Sequence, residues 1–485
     1  MAKGNSTFIP KTGLSGDEIF SQITHFQEKD IDWKNGKFFG YVFYPGQETY
    51  DVIQEAYKMY MSANGLNPAA FPGLRKMETD VVSITANLFH GNEDTTGVMT
   101  SGGTESIMMA LLSAREYAKK ILKIDGVPEV ILPESVHPAF NKACHFFGLK
   151  EVVIPVDNDF KANVSAMEKA ITKNTILLVG SAPQYPQGVI DPIEKIADIA
   201  KKNNLLCHVD ACVGGFMLPF LEKSGISLPL WDFRVDGVTS ISADLHKYGY
   251  AAKGASLIMY KNGDIRKQQF YIKTDWMGGI YGSPSFAGTR PGGAIAAAWA
   301  TLHTIGEEGY VNMVSKTYEA TKKLIEGIRA YPELQVFGEP DATLFSFGSS
   351  KLDIQAIGDE LAELGWYINR QTEPPGLHCF VTNHHIDKVQ IFLDDLAIAV
   401  KKAKAFSIEN IKKDLQVGAV KQINKFLPKP LFEKLTKLAG QSGGAESKRK
   451  AAMYGMMGEL KGTGTLEDMV LKFVDELNSP EQPQK

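Results

Sequence analysis

In Ser240-Ile-Ser-Ala-Asp-Leu-His246-Lys247 a lysine directly follows a histidine at the end of a β-like run. An aspartate closes an earlier run, Leu205-Leu-Cys-His208-Val-Asp210. A partly desolvated lysine can lose its proton and attack an aldehyde. A carboxylate can keep a pyridine nitrogen protonated, so that the ring accepts electrons from a breaking bond. The pair therefore points to pyridoxal 5'-phosphate, with Lys247 as the Schiff-base lysine and Asp210 as the partner of the ring nitrogen. Each residue also has a plainer reading, as a solvated lysine and as an aspartate capping a turn. The strand-like residues on both sides of 240–247, and the need of a buried acid for a cation, favour the chemical reading.

Other segments supply what such a site needs. Ser101-Gly102-Gly103-Thr104-Glu105-Ser106 lies between a strand-like end at Val98 and a strong helix beginning near Ile107. Glycines let backbone N–H groups approach a phosphate, and Thr104 adds a hydroxyl at the positive end of the helix. A simple helix start reads the same way. His137, in Pro133-Glu-Ser-Val-His137-Pro138, could stack on the cofactor ring or serve only the loop. Tyr185, in the Pro-rich Ala182-Pro-Gln-Tyr185-Pro186, could take part in proton transfer or packing. Lys253 and Arg290, the latter in Gly288-Thr289-Arg290-Pro291-Gly292-Gly293, are cations beside glycines. A second phosphate, on the substrate, would explain both. Alternatively Lys253 is solvated and Arg290 pairs with an acid inside the fold.

The elements that must carry these residues follow from periodicity. From about Arg75 to Met259 helix-like and strand-like segments alternate, with helices expected at Glu78–Phe89 and Ile107–Lys123. Short apolar runs predict strands at Val130–Leu132, Val152–Val156, Thr175–Val179, Leu205–Val209, Val238–Ile241 and Ser256–Met259. This is an α/β domain with a large, mostly parallel sheet. After Tyr310 a long helix, Val311–Ile328, leads to a strand at Leu344–Phe347 and a helix near Ile354–Leu364, the texture of a smaller α+β domain. The expected division is an N-terminal arm over 1–74, a large cofactor-binding domain over 75–310, and a small domain with a helical tail over 311–485. A hinge is expected between about Ile305 and Thr317. Beyond Leu427-Pro428 the tail reads as helical pieces joined by mobile linkers, with a soft patch at 440–444.

Composition narrows the partners. A formal charge of -4 over 485 residues offers no global attraction to nucleic acid or an acidic membrane. Cys144, Cys207, Cys212 and Cys379 have neither metal-ligand spacing nor disulfide density, and they read as reduced thiols in the cytoplasm. The first thirty residues are polar, without a signal peptide or membrane anchor.

Taken together, Ser101-Gly-Gly-Thr-Glu-Ser, His208-Val-Asp210-Ala-Cys-Val-Gly-Gly, Ser242-Ala-Asp-Leu-His246-Lys247-Tyr-Gly-Tyr, Asp275-Trp-Met-Gly-Gly-Ile-Tyr and Ala287-Gly-Thr-Arg-Pro-Gly-Gly resemble the sphingosine-1-phosphate lyase family. That family sits in the group II decarboxylase branch of the fold type I pyridoxal phosphate enzymes. The likeness runs from about Gly36 to Gly309 and includes Phe71-Pro72-Gly73-Leu74-Arg75-Lys76. It implies a homodimer with active sites at the subunit interface. His137 would stack on the ring, and Gly103, Thr104 and His246 would hold the cofactor phosphate with Thr289 of the other subunit. Tyr41, Lys253 and Tyr185 would fall at positions tied to the substrate phosphate or to proton transfer. Asn67, before Pro68, stands at a substrate contact where relatives commonly have histidine.

The membrane helix of eukaryotic members is missing, which implies a soluble, bacterial-type form that extracts its lipid from a membrane. The implied reaction is retro-aldol cleavage of a phosphorylated sphingoid base to a long-chain aldehyde and phosphoethanolamine. An amino-acid decarboxylase acting on glutamate or an aromatic amino acid is the closest competitor, and a binding protein without catalysis is a third reading.

Overall fold

The computed structural model describes residues 9–410, 450–451, 454, 457 and 464–479. The expected tail features at 427–428 and 440–444 lie outside the described residues. The first strand, β1 (Phe38–Phe39), belongs to the N-terminal arm. The large domain then lays down β2 (Thr96–Thr100), β3 (Glu129–Pro133), β4 (Lys150–Ile154), β5 (Thr175–Ser181), β6 (Leu206–Asp210), β7 (Ser240–Ala243) and β8 (Ser256–Tyr260). They form one sheet in the order β2-β8-β7-β6-β5-β3-β4. Pairing is parallel from β4 through β3, β5 and β6 to β7, and β8 runs antiparallel to both β7 and β2. Every residue of β3, β5, β6, β7 and β8 is buried. That explains why these strands read as unbroken apolar runs: helices cover both faces of the sheet.

The register fixes what happens at one edge. Ser181 lies beside Asp210, and Asp210 lies beside Ser242, so the C-terminal ends of β5, β6 and β7 come level. Segments leaving those ends, with the one leaving β3, carry His137, Tyr185, Asp210 and Lys247. Open parallel sheets bind ligands at this edge.

Helix α1 (Gly16–Gln27) has no buried residue. Helix α2 (Gln47–Tyr60) and helix α3 (Pro72–Leu88) pack on a long helical segment, Gly292–Arg329. A Cβ on Gly292 would come within 2.8 Å of the Tyr60 and Ala63 carbonyl oxygens, so only glycine allows this approach. Helix α4 (Gly103–Tyr117) follows β2, and helix α5 (Ala139–Phe147), which sequence periodicity missed, follows β3. The helix at Gly292 begins well before the expected Val311, and it breaks at Gly306, where φ is 64° and ψ 171°. Between β8 and that helix lies an antiparallel hairpin, β9 (Tyr271–Trp276) and β10 (Gly279–Ser283), with all of β9 exposed.

The small domain holds β11 (Gln335–Val336), β12 (Leu344–Gly348), β13 (Tyr367–Thr372) and β14 (Pro375–Phe380), in the sheet order β1-β13-β14-β12-β11. The arm is thus built into this domain: Phe38 and Phe39 pair in parallel with Tyr367 and Ile368. Phe39 is fully buried against the rings of His385, at 4.3 Å between centroids, and Trp366, at 5.4 Å.

Candidate active site

A cleft of about 1040 Å³ opens at the C-terminal edge of the large sheet, between it and the five-stranded sheet. The structure brings Tyr41, Gly103, Thr104, His137, Tyr185, Asp210, His246, Lys247 and Lys253 to its walls. It does not bring Asn67, Thr289 or Arg290 there.

Lys247 sits in the tight loop between β7 and β8. Backbone bonds from Lys247 N to Asp244 O (3.3 Å) and from Tyr250 N to Lys247 O (2.8 Å) fold this loop, and Tyr250 takes a φ of 57°. The turn places Lys247 Nζ 2.8 Å from Oδ2 of Asp244, a carboxylate only 2% exposed. Burial alone would lower the Lys247 ammonium, but Asp244, with Cys212 and Asp210 adding to it, outweighs burial and the net shift is upward. Asp244 shows the mirror image. Burial opposes its charge, yet Lys247 and His246 carry its carboxyl below the ordinary value. Sequence reasoning passed over Asp244; its only signal was its place three residues before the lysine in a turn.

Asp210 is the last residue of β6 and is 7% exposed. Its Oδ1 accepts from the Cys212 N–H (3.0 Å) and the Ser242 hydroxyl (3.2 Å). Behind it, fully buried His208 bonds Ser240 Oγ (2.9 Å) and Ser242 Oγ (3.2 Å). Burial pushes His208 down to about 4, so it is neutral near pH 7. The chain of bonds fixes where the Asp210 carboxylate points.

The start of α4 fits a phosphate. No side chain caps this helix, whose first residue is Gly103. Its leading N–H groups lack intrahelical acceptors, and the helix dipole adds positive potential. A Cβ on Gly103 would lie 2.8 Å from both Asp244 Oδ2 and Cys212 Sγ, which presses the helix start against the lysine loop. The loop itself is tied by Glu105, which accepts from Ser101 N (2.7 Å), Ser101 Oγ (2.6 Å) and Phe286 N (3.1 Å). Nearby, His246 Nδ1 and Asp244 Oδ1 are buried without a hydrogen-bond partner. Burial also pushes His246 down to about 4. An uncapped helix start, an unpaired imidazole nitrogen and a lysine facing a cleft are the donor set that pyridoxal phosphate requires, and the residues fit it.

His137 stands two residues before α5, with its Nδ1 accepting from the Ala139 N–H at 3.1 Å, which leaves the ring proton on Nε2. Burial lowers it further, against the pull of Asp210. Tyr185 stacks on His378 at 4.3 Å between centroids, and its carbonyl accepts from His378 Nε2 at 2.8 Å. Burial, then Tyr41, pushes the Tyr185 phenol upward, so it holds its proton at neutral pH. Lys253 donates to the carbonyls of Tyr41 (2.8 Å) and His246 (3.1 Å) and lies 5.3 Å above the Phe43 ring. Although it is open to the cleft, the surrounding protein and then Lys247 lower its ammonium to about 8. The Tyr41 hydroxyl donates to Asn369 at 3.1 Å.

Two cleft residues, Tyr454 and Met457, come from the tail and were invisible to sequence reading. Lys450 and Ala451 donate their N–H groups to Asp359 at 2.6 and 3.2 Å, and Arg370, bound to the same carboxylate, lies 5.6 Å from the Tyr454 ring.

The substrate role expected for Arg290 is corrected by its surroundings. The residue is 7% exposed, and its guanidinium spends its donors on both Glu78 oxygens, on Gly65 O (3.3 Å) and on Met99 O (3.0 Å). Asn67 accepts from Ala70 N at 3.2 Å, and Thr289 accepts from Asn64 at 3.5 Å. These residues form a separate patch, stitched by Gly65 N to Arg290 O at 2.9 Å. Among the described residues, no helix is long and apolar enough to cross a membrane.

Comparison with known proteins agrees with this geometry. Residues 8–349 match the model of the pyridoxal-dependent decarboxylase conserved domain. A sphingosine-1-phosphate lyase of Arabidopsis thaliana is 43% identical over 411 residues, covering 83% of this chain and 75% of that protein. The solved sphingosine-1-phosphate lyase of Burkholderia pseudomallei K96243 superposes with a TM-score of 0.80 at 35% identity, covering 87% of this chain and 97% of that one. A glutamate decarboxylase of Lactobacillus brevis shares the fold, with a TM-score of 0.71 at 20% identity, covering 83% of this chain and 97% of that one. With its domain match, and with relatives of this identity and coverage, the chain belongs to the sphingosine-1-phosphate lyase family of pyridoxal phosphate enzymes.

Proposed function

We propose that this chain cleaves a phosphorylated sphingoid base between the carbon bearing its amine and the carbon bearing its hydroxyl, releasing a long-chain aldehyde and phosphoethanolamine. Bound pyridoxal phosphate supplies the electron sink for the bond that opens. Lys247 holds the cofactor, Gly103, Thr104 and His246 take its phosphate, Asp210 faces its ring nitrogen and His137 covers its ring. Lys253 meets the substrate's phosphate, beside Tyr41. Tyr185, which keeps its proton, hydrogen-bonds the reacting end of the substrate.

The observation that carries the reading is the position of Lys253. It is a cation open to the cleft beside the cofactor pocket, in a chain whose relatives are named for a phosphorylated substrate. An amino-acid decarboxylase has no use for a second phosphate site. A panel of sphingosine 1-phosphate, unphosphorylated sphingosine, glutamate and aromatic amino acids tests it. Fatty aldehyde from the first alone is expected; carbon dioxide from an amino acid, without aldehyde, would replace this reading with decarboxylation.

The working unit is a homodimer in the same proposal. Support comes from exposed apolar side chains on the 271–286 segment, among them Ile272, Trp276, Met277, Ile280 and Phe286. It comes also from the patch of Asn67 and Thr289, which does not reach the cleft of its own chain. We assign the protein to the cytoplasm because its four cysteines are buried, unpaired thiols.

A further inference from the structure

We propose that Asp244 is the proton carrier for Lys247 each time the lysine takes up or releases the cofactor. The inference rests on Lys247 being the attachment point. An ammonium is no nucleophile, so one proton must leave the lysine before it reacts. Asp244 Oδ2, at 2.8 Å from Nζ, is within direct transfer distance, while Oδ1 is buried and unpartnered. A buried acceptor without a partner is costly unless it has a use.

The other groups facing the pair do not offer the same service. Asp210 is tied to Cys212 N and Ser242 and is committed to the ring nitrogen. The Cys212 thiol is pushed up by burial, and His246, in the same loop, lies 3.7 Å from Asp244 Oδ2 and is held neutral. His137 is also lowered by burial, and its Nδ1 accepts from Ala139. Lys253 is a second cation.

The step balances within the pair and the aldehyde. Asp244 takes one proton from the Lys247 ammonium, and the freed lone pair forms the bond to the aldehyde carbon. The aldehyde oxygen then takes one proton from the nitrogen and the stored one from Asp244. It departs as water as the C–O bond breaks, the nitrogen keeping its last proton. Asp244 ends as the carboxylate that began the cycle. The reverse sequence frees Lys247 when the substrate amine displaces it.

The test follows attachment itself, with no turnover. Cofactor-free protein is mixed with pyridoxal 5'-phosphate across pH 6 to 9, about the range in which a carboxylate held ionised and an ammonium held charged do not titrate. The rise of cofactor absorbance is timed, and borohydride reduction locates the modified residue. Wild type is expected to attach at a rate nearly independent of pH. Asp244→Asn loses both the carrier and the anion that holds the Lys247 proton, so its rate should instead climb with pH, by up to about tenfold per unit, as the lysine gives its proton to solvent. Asp244→Ser should show the same climb, and added formate should restore the flat profile, which also serves if Asp244→Asn does not fold. An unchanged rate and a flat profile in Asp244→Asn, with Lys247 still labelled, would overturn the proposal alone. Label on a different lysine in wild type would instead overturn the underlying assignment.

Discussion

Lys253 and Arg290 entered as equivalent cations, and the fold surrounds them differently: Lys253 lines the cleft and Arg290 pairs with Glu78. Burial, then Lys247, lowers the Lys253 ammonium to about 8. If it meets the substrate phosphate as a cation, kcat/KM is fully present below that pH and falls as pH rises through it, because the proton leaves the free enzyme. The falling limb should vanish in Lys253→Met, and a rising limb at the same pH would make Lys253 a base instead. Arg290 is buried against Glu78, 212 residues away in the chain. Its truncation should therefore act on stability rather than on KM. Arg290→Ala is expected to cost about 3 kcal/mol in chemical denaturation by stranding a mostly buried carboxylate, and an unchanged midpoint with a raised KM would restore the substrate role. Sequence reading could bring Lys247 and Asp210 forward because each closes a local β-like run. It could not choose Arg290's partner, since that choice is made by folding across the domain.

At the scale of elements, the site depends on how closely the start of α4 approaches the lysine loop. Gly103→Ala would set a methyl group 2.8 Å from Asp244 and Cys212, so helix and loop would have to part at the proposed phosphate cup. Cofactor affinity should fall at least tenfold, measured by titration of cofactor absorbance, while far-ultraviolet circular dichroism stays that of wild type. Normal affinity would mean that this contact does not shape the phosphate cup. The large sheet was legible because its buried strands are short apolar runs of β-branched and aliphatic residues. The joining of β1 to β13 was not, because two residues carry too little periodicity to mark a strand. Asp244 escaped notice for a related reason: an acid before His-Lys reads as a solvated turn until the loop's geometry is known.

The whole molecule leaves Asn67 and Thr289 away from the cleft of their own chain and an apolar hairpin in water. In a homodimer whose sites draw on both chains, Lys247→Ala and Thr289→Trp should each be inactive alone. Mixed and refolded together, they should recover about a quarter of wild-type activity, since half the dimers are mixed and each mixed dimer has one intact site. No recovery, with a monomer in sedimentation, would return Thr289 to a structural role. The central claim, that a carbon–carbon bond opens beside the amine, is tested most directly by turning over sphingosine 1-phosphate in deuterium oxide. The account predicts fatty aldehyde and phosphoethanolamine in equal amounts, the latter carrying one deuterium on the carbon next to nitrogen. Phosphoethanolamine without that deuterium, or no aldehyde at all, would contradict it.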